Sequence, residues 1–196
     1  ENTQVSIQGT KLRAKGPLLI THWGFSGPAV LKTSSFGARI LSEKNYLFNI
    51  QINWINETNY EKVIELIQQE IISHPKRTLR NLKVFKIPER LWNFIVEKSE
   101  LTLEKKLHEL GNKGINKLVD ILCNDVYQIK GKTTFKEEFV TCGGISLNSI
   151  NLNTMESKEI KNLYFAGEIM DIDAITGGYN FQAAWSTGFV AGKLKE

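Results

Sequence analysis

The chain has 196 residues, 41% of them hydrophobic and 23% charged, with a formal net charge of +4. That supports a sizeable core in one large or two small domains and excludes disordered, collagen-like and disulfide-scaffold classes. The Lys and Arg residues are interleaved with Glu, so the mild excess reads as a solvated surface, and no nucleic-acid partner is expected.

No apolar run is long enough to span a membrane, and the start carries no signal-peptide pattern. The two cysteines, Cys123 and Cys142, form no CxxC pair, and the dispersed His22, His74 and His108 make no metal set. No metal and a reducing cytoplasm are therefore expected. The chain starts Glu1-Asn2-Thr3, and its only methionines are Met155 and Met170. A processed chain or a fragment is expected, with a fragment favoured.

In chain order, residues 1–20 predict two or three strands separated by turns at Gly9-Thr10 and Lys15-Gly16-Pro17. Ser26 is a candidate N-cap and Pro28 a first-turn residue for a short helix running from Ala29 to Phe36. Tyr46, Phe48, Ile50, Ile52 and Trp54 alternate with more polar positions and predict a strand with one buried face. Helix-spaced Tyr60, Val63, Ile64, Ile67 and Ile71 predict a helix over 57–73, capped by Asn56 or Thr58 and closed by Pro75.

Pro88 opens a further helix with Leu91, Trp92, Ile95 and Val96 inward. Leu103–Leu110 and Ile115–Leu122 read as two more helices, separated by Gly111 and Gly114. These apolar positions are expected in the core. Val126–Ile129 and Phe135–Val140 predict strands, with a turn at Gly131-Lys132 and a glycine pair at Thr141-Cys-Gly-Gly-Ile145.

The most informative stretch follows. Leu163–Ala166 is a short apolar run that predicts a buried strand ending at Gly167-Glu168. An acidic loop with Asp171 and Asp173 leads to Gly177-Gly178 and a helical pattern rich in small residues: Ala183, Ala184, Gly188, Ala191 and Gly192. Ligands of open α/β sheets sit outside the carboxyl ends of strands, and helix N-termini receive anionic groups. Strand, carboxylate, loop, glycine pair and helix thus make a site plan. A boundary is expected near 131–139, with domains at 1–138 and 139–196. The second is too small to bury a core easily and should need a partner.

Thr141-Cys-Gly-Gly-Ile145, Thr154-Met-Glu-Ser-Lys158, Leu163-Tyr-Phe-Ala-Gly-Glu168, Asp171-Ile-Asp173 and Thr176-Gly-Gly-Tyr-Asn-Phe-Gln182 resemble, in order and spacing, the C-terminal motif of the YhiN/BaiN-like bacterial flavoproteins. These are NAD(P)/FAD-dependent or aminoacetone oxidase-type oxidoreductases. Gly16-Pro-Leu-Leu-Ile-Thr-His-Trp-Gly-Phe-Ser-Gly-Pro28 resembles the inserted domain of the same family. The likeness is specific at both ends and weak in the helical middle. It implies an α+β fold: an inserted β-barrel-like module with a helical cluster, followed by the strand–loop–helix remnant of a Rossmann-like FAD-binding domain. The family's GxGxxG fingerprint is absent from this sequence. The expected partners are therefore a small-molecule substrate and an N-terminal FAD-binding segment, without which this chain alone is not expected to hold FAD.

By that resemblance Glu168 accepts hydrogen bonds from the FAD ribityl chain, Gly167 permits the turn, and Gly177, Gly178, Tyr179, Asn180, Phe181 and Gln182 open a helix whose positive end faces the flavin. Asn180 and Gln182 could donate to flavin carbonyls or could merely cap. Thr141, Gly143 and Gly144 are a second candidate approach to the cofactor. Asp171 and Asp173 either touch the cofactor or tighten the loop. Cys142 reads as a small neighbour without a resolving partner. His22 is a candidate acid/base over the flavin or a structural hydrogen-bonding residue. The resulting expectation is part of an FAD-dependent oxidoreductase passing hydride or electrons between flavin and a small organic substrate, with NAD(P)H as a candidate reductant. The competing expectation is a partner-binding or assembly module with a vestigial flavin site.

Overall fold

The computed structural model describes residues 3–132 and 140–193. The chain forms two compact units, one from Glu1–Val30 with Leu47–Lys130, the other from Leu31–Tyr46 with Gly131–Glu196. The class is α+β, and among the described residues the sheets are open and do not close into a barrel.

The first unit begins with a hairpin of β1 (Thr3–Ile7) and β2 (Arg13–Gly16), then a smaller hairpin of β3 (Leu19–Thr21) and β4 (Gly24–Ser26). Helix α1 (Pro28–Glu43) follows, its residues from Leu31 onward belonging to the second unit. It runs past the expected end at Phe36, because Thr33, Gly37 and Leu41 form a buried stripe at i, i+4 and i+8. Strand β5 (Leu47–Asn53) realises the alternation read from the sequence, with Ile50 and Ile52 buried.

Helix α2 (Tyr60–Ser73) is capped by Asn59, whose side chain accepts the Lys62 N–H at 3.2 Å, rather than by Asn56 or Thr58. The three-residue spacing is what an N-cap side chain reaches. Helix α3 (Glu89–Lys98) starts behind Pro88 and buries Trp92, Ile95 and Val96. Helix α4 (Gly111–Asn124) begins earlier than its apolar spacing suggested, and β6 (Asp125–Lys130) returns to the sheet. The sheet order is β2-β1-β5-β6, antiparallel throughout.

The stretch 103–110 is not a helix, apart from a single 3-10 turn at Leu107–Glu109. Its backbone lies antiparallel to 75–80: Leu79 N–H donates to Lys105 O, Arg80 N–H to Leu103 O, Leu107 N–H to Arg77 O and His108 N–H to Pro75 O, at 2.9–3.1 Å. Leu79, Leu107 and Leu110 still face the core from this ladder, beside Ile67, Leu118 and Leu122.

Asp125, fully buried, sits where β6 leaves α4. Its carboxylate accepts from Trp54 Nε1 at 2.9 Å, from the Tyr127 hydroxyl at 2.7 Å and from the Lys98 ammonium. The Lys98 Nζ also lies 3.8 Å from the Tyr127 ring centroid. Burial, and then Asp125 itself, push the Tyr127 hydroxyl far above its usual pKa, so it stays a donor.

In the second unit, Ile150, Met155 and Met170 form a small buried cluster flanked by Ile145, Phe165, Ile172 and Val190. Strands β7 (Ile150–Asn151) and β8 (Glu156–Ser157) are two residues each, and α5 (Tyr179–Gly192) closes the unit. The expected strand over Leu163–Ala166 is reduced to one bridge, Glu156 with Tyr164. The partner is β8, joined also by Ser157 N–H to Leu163 O at 2.7 Å and Phe165 N–H to Met155 O at 2.9 Å, and so short a neighbour makes no longer ladder. The expected strand Phe135–Val140 and the expected 138/139 boundary fall at residues 135–139, outside the described ones. Among the described residues no helix is long and apolar enough to cross a membrane.

Removing the Asp125 carboxylate strands a buried indole N–H and an ammonium. Breaking a buried pair costs about 3–5 kcal/mol, and Lys98, partly exposed, can rehydrate and keep the loss near the lower end. Asp125→Ala is therefore expected to lower unfolding stability by about 3 kcal/mol in urea titrations followed by tryptophan fluorescence, and a loss under about 1 kcal/mol would contradict the role assigned to this network.

Candidate functional site

The second unit holds its chemistry around the start of α5. Gly177 has φ +148°, a conformation L side chains rarely adopt, and Gly178 is the helix N-cap without a side-chain cap. Among the described residues no side chain therefore caps the first N–H groups of α5, which leaves the positive end of the helix available. Asn180 fixes the loop in front of it. Its Oδ1 accepts the Ala174 N–H at 2.9 Å and its Nδ2 donates to Ala174 O at 3.0 Å. Both ends of the Asn180 amide are thus committed to backbone, and Gln182 Nε2 donates to Ser186 Oγ at 3.0 Å.

The turn that carries Glu168 is held from the helix side. The Thr187 hydroxyl donates to Ala183 O at 2.7 Å and accepts the Gly167 N–H at 3.0 Å. Gly167, at φ +74°, then leads into a 3-10 turn, Gly167–Ile169, with the Glu168 side chain exposed. Glu168, Thr176, Gly177, Asn180, Phe181 and Ala184, with Val140, line a recess of about 360 Å³. Its walls are mostly apolar, with one carboxylate.

Of the sequence-predicted residues, Glu168, Gly177, Asn180 and Phe181 come together in this recess. Gly178 and Tyr179 lie at the adjoining helix start, and Gly167 supports the Glu168 turn. Thr141, Gly143 and Gly144 are not part of the lining. Gly144 instead serves a close backbone approach, since a Cβ there would come within 2.6 Å of the Met170 carbonyl, whereas one at Gly143 would meet nothing within 4 Å. That approach lets Ile145 pair with Ile169 and Asp171 through bonds of 2.8 and 2.9 Å. His22, in the β3–β4 turn of the first unit, is exposed and has its ring centroid 4.7 Å from that of Trp23.

Two acidic residues of the loop have partners that local spacing does not reveal. Asp171 receives Arg39 NH2 on both oxygens, at 2.6 and 2.7 Å. Arg39 belongs to α1, 132 positions away, and nothing around it in the sequence signals the pairing. The nearby Asp173 carboxylate, and to a smaller extent burial, raise the pKa of the Cys142 thiol, partly opposed by Arg39. Thr176, Ala184 and Thr187 were also missed as contributors. Only Thr176 lies inside the recognised motif, and the other two are ordinary small helix residues.

Helix α5 has no buried residue. Tyr179, Phe181, Trp185 and Phe189 are 66–69% exposed, and Phe181 stacks on Trp185 with ring centroids 6.2 Å apart. A helix that is apolar on every side is normally covered, and such a surface marks an interface.

A family model described as the HI0933-like protein barrel and H2TH domain matches residues 1–140. Among known proteins, the chain is similar to the ribosomal RNA dihydrouridine synthases of Haemophilus influenzae and Escherichia coli. Each is 31% identical over 172 residues, covering 88% of this chain and 40% of the relative. It is also similar to the 3-dehydro-bile acid delta(4,6)-reductase of Clostridium scindens, 26% identical over 178 residues, 91% of this chain and 43% of the relative. The chain thus spans less than half the length of the curated relatives it matches.

Two outcomes test this geometry. Thiolate is the reactive form of cysteine, and burial pushes the Cys123 thiol up to about 11. At pH 8 iodoacetamide should label Cys142 and leave Cys123 untouched in the folded protein, and Asp173→Asn should speed labelling of Cys142 several-fold by lowering its pKa. An unchanged rate removes Asp173 as the partner. Separately, Gly144→Ala adds backbone overlap to a conformational strain of about 1–3 kcal/mol, while Gly143→Ala adds the strain alone. Limited proteolysis should cut the second unit of Gly144→Ala faster than that of Gly143→Ala.

Proposed function

The chain belongs to the HI0933-like family, and on that premise we propose that it supplies the flavin-facing part of an FAD-dependent reductase of the YhiN/BaiN-like kind. The observation that carries this reading is the recess at the uncapped start of α5, with Glu168 at its edge and glycine at 177 and 178. The residues fit a flavin. Glu168 is an acceptor for ribityl hydroxyls, the open glycines admit a planar ring edge, and the helix end favours negative charge on it. When bound, the flavin supplies two-electron redox chemistry. The chain's own residues bind and orient: Asn180 holds the loop against the helix start, Thr187 holds the Glu168 turn, and Phe181 walls the recess.

The relatives' names suggest the reaction class. Dihydrouridine is uridine with two more hydrogens, and a delta(4,6)-reductase acts on carbon–carbon double bonds. Uracil and a 3-oxo steroid share a double bond conjugated to a carbonyl. We assign this protein to reductases of such bonds, in a uracil base of RNA or in a free small molecule, with NAD(P)H as the reductant. The phosphate cradle is assigned to an N-terminal segment that also covers the apolar surface of α5. The isolated chain is accordingly expected to hold no FAD. A cytoplasmic location suits its unpaired cysteines. The same α5 surface would also serve a partner-binding module with a vestigial flavin site, and flavin occupancy separates the two.

Hydrogen bonds to a charged group contribute about 1.5–3 kcal/mol, so Glu168→Ala in the full-length protein should weaken flavin binding about 10–100-fold. Flavin absorbance of the purified variant and dissociation on dilution read this. Wild-type protein purified without flavin, and unable to take it up, would favour the vestigial module.

A further inference from the structure

We propose that the antiparallel ladder of the helical cluster, residues 75–80 against 103–108, together with the loop at 83–90, is a face that binds the phosphates of RNA. The net positive charge of the chain resides largely in this region. Residues 76–117 hold eleven Lys and Arg against five Glu, while all other residues together hold fourteen against sixteen Asp and Glu. The sequence alone suggested an even mixture, because Glu is interspersed along the chain. The structure sorts these charges.

Several cations are neutralised locally. Arg77 is held by Glu70, Arg80 by Glu104, Lys98 by Asp125 and Lys117 by Glu100. Among the described residues Lys76, Lys83, Lys86, Arg90, Lys105 and Lys106 have no such carboxylate. The pairing of Thr78 with Lys106, and of Leu79 with Lys105, brings Lys105 and Lys106 alongside the strand that carries Lys76. These backbone hydrogen bonds hold the two cation-bearing segments side by side, with Lys76 and Lys106 on the side away from the core-facing Leu79 and Leu107.

The chemistry points to a polyanion with regularly spaced charges. A membrane surface is the weaker match, since no large apolar side chain within 76–90 or 103–113 is exposed to enter a bilayer. A phosphodiester backbone needs only the row of ammonium and guanidinium groups. RNA as the occupant rests on the reading that the reducible base is a uracil in RNA, and it supplies that reading with a means of holding a long substrate.

The test is fluorescence anisotropy of the full-length protein with a labelled poly(U) oligonucleotide over a range of salt concentrations. Each lost phosphate contact flattens the slope of log K against log salt by about 0.7 for a single strand. Lys76→Ala/Lys105→Ala/Lys106→Ala should therefore flatten it by about two and weaken binding roughly a hundredfold at about 0.1 M salt. The control Lys11→Ala/Arg13→Ala/Lys15→Ala removes as many charges from the β1–β2 hairpin and should leave the slope unchanged. Circular dichroism confirms that both variants are folded. Equal loss in the two variants, no loss in either, or binding to anionic phosphatidylglycerol vesicles in place of poly(U) would overturn the proposal. Failure of flavin uptake leaves this readout intact, because no step of it involves the cofactor.

Discussion

Asp125 accepts from three side chains that reach it from three parts of the chain: the indole just after β5, the end of α3, and β6. Exposed ion pairs contribute little, about 0–1 kcal/mol, so pairs such as Arg80 with Glu104 only trim the surface. A carboxylate with no access to water is different in kind. Its desolvation is unfavourable unless every neighbour is in place, so the arrangement tolerates one geometry and penalises the rest. The apolar packing of Ile95, Leu118 and Leu122 supplies the driving force for the first unit, and Asp125 selects among the ways those side chains could pack.

Among the described residues the second unit has no comparable centre. A small cluster of Ile150, Met155 and Met170 and a few backbone bonds hold it, and α5 exposes four aromatic rings. What order it has comes from small devices: a glycine that lets two segments meet, a threonine that bridges a turn to a helix, an asparagine that ties a loop, and an arginine on an aspartate. Two of these, the Thr187 bridge and the Asn180 tie, hold the Glu168 turn and the loop before α5 that border the recess.

Much of the first unit was legible. The alternation through Ile50 and Ile52 and the helical spacing of Val63, Ile67, Trp92, Ile95 and Leu118 express one buried face each, and periodicity reports that directly. The misreading at 103–110 is instructive. Leu103, Leu107 and Leu110 are spaced as on a helix, but their backbone is satisfied by residues 77–80, which no local window contains. The run Leu163–Ala166 fell short because a strand extends only as far as its neighbour, and β8 beside it is two residues long. In the recess, Gly177 and Glu168 were visible because a glycine pair and a carboxylate at a turn have few other uses. Arg39, Thr187 and Ala184 were not, because their significance is created by folding.

The helical block also has a particular relation to the sheet from which it springs. Trp54 and Asp125 are 71 positions apart, yet they are joined by a hydrogen bond, Ile52 faces Asp125 across the sheet, and the Trp54 N–H donates to Leu122 O at 2.8 Å. Chain leaves and re-enters at neighbouring points, so the block occupies the place of a hairpin loop. The entropy of closing such a loop rises only with the logarithm of its length, about 0.6 kcal/mol per doubling. Outside the buried side chains such as Ile95, Leu118 and Leu122 and the Lys98 that meets Asp125, evolution can therefore lengthen, shorten or recharge the turns between those two residues without disturbing the register of the strands, which makes the outer surface of this excursion free to acquire a new binding partner.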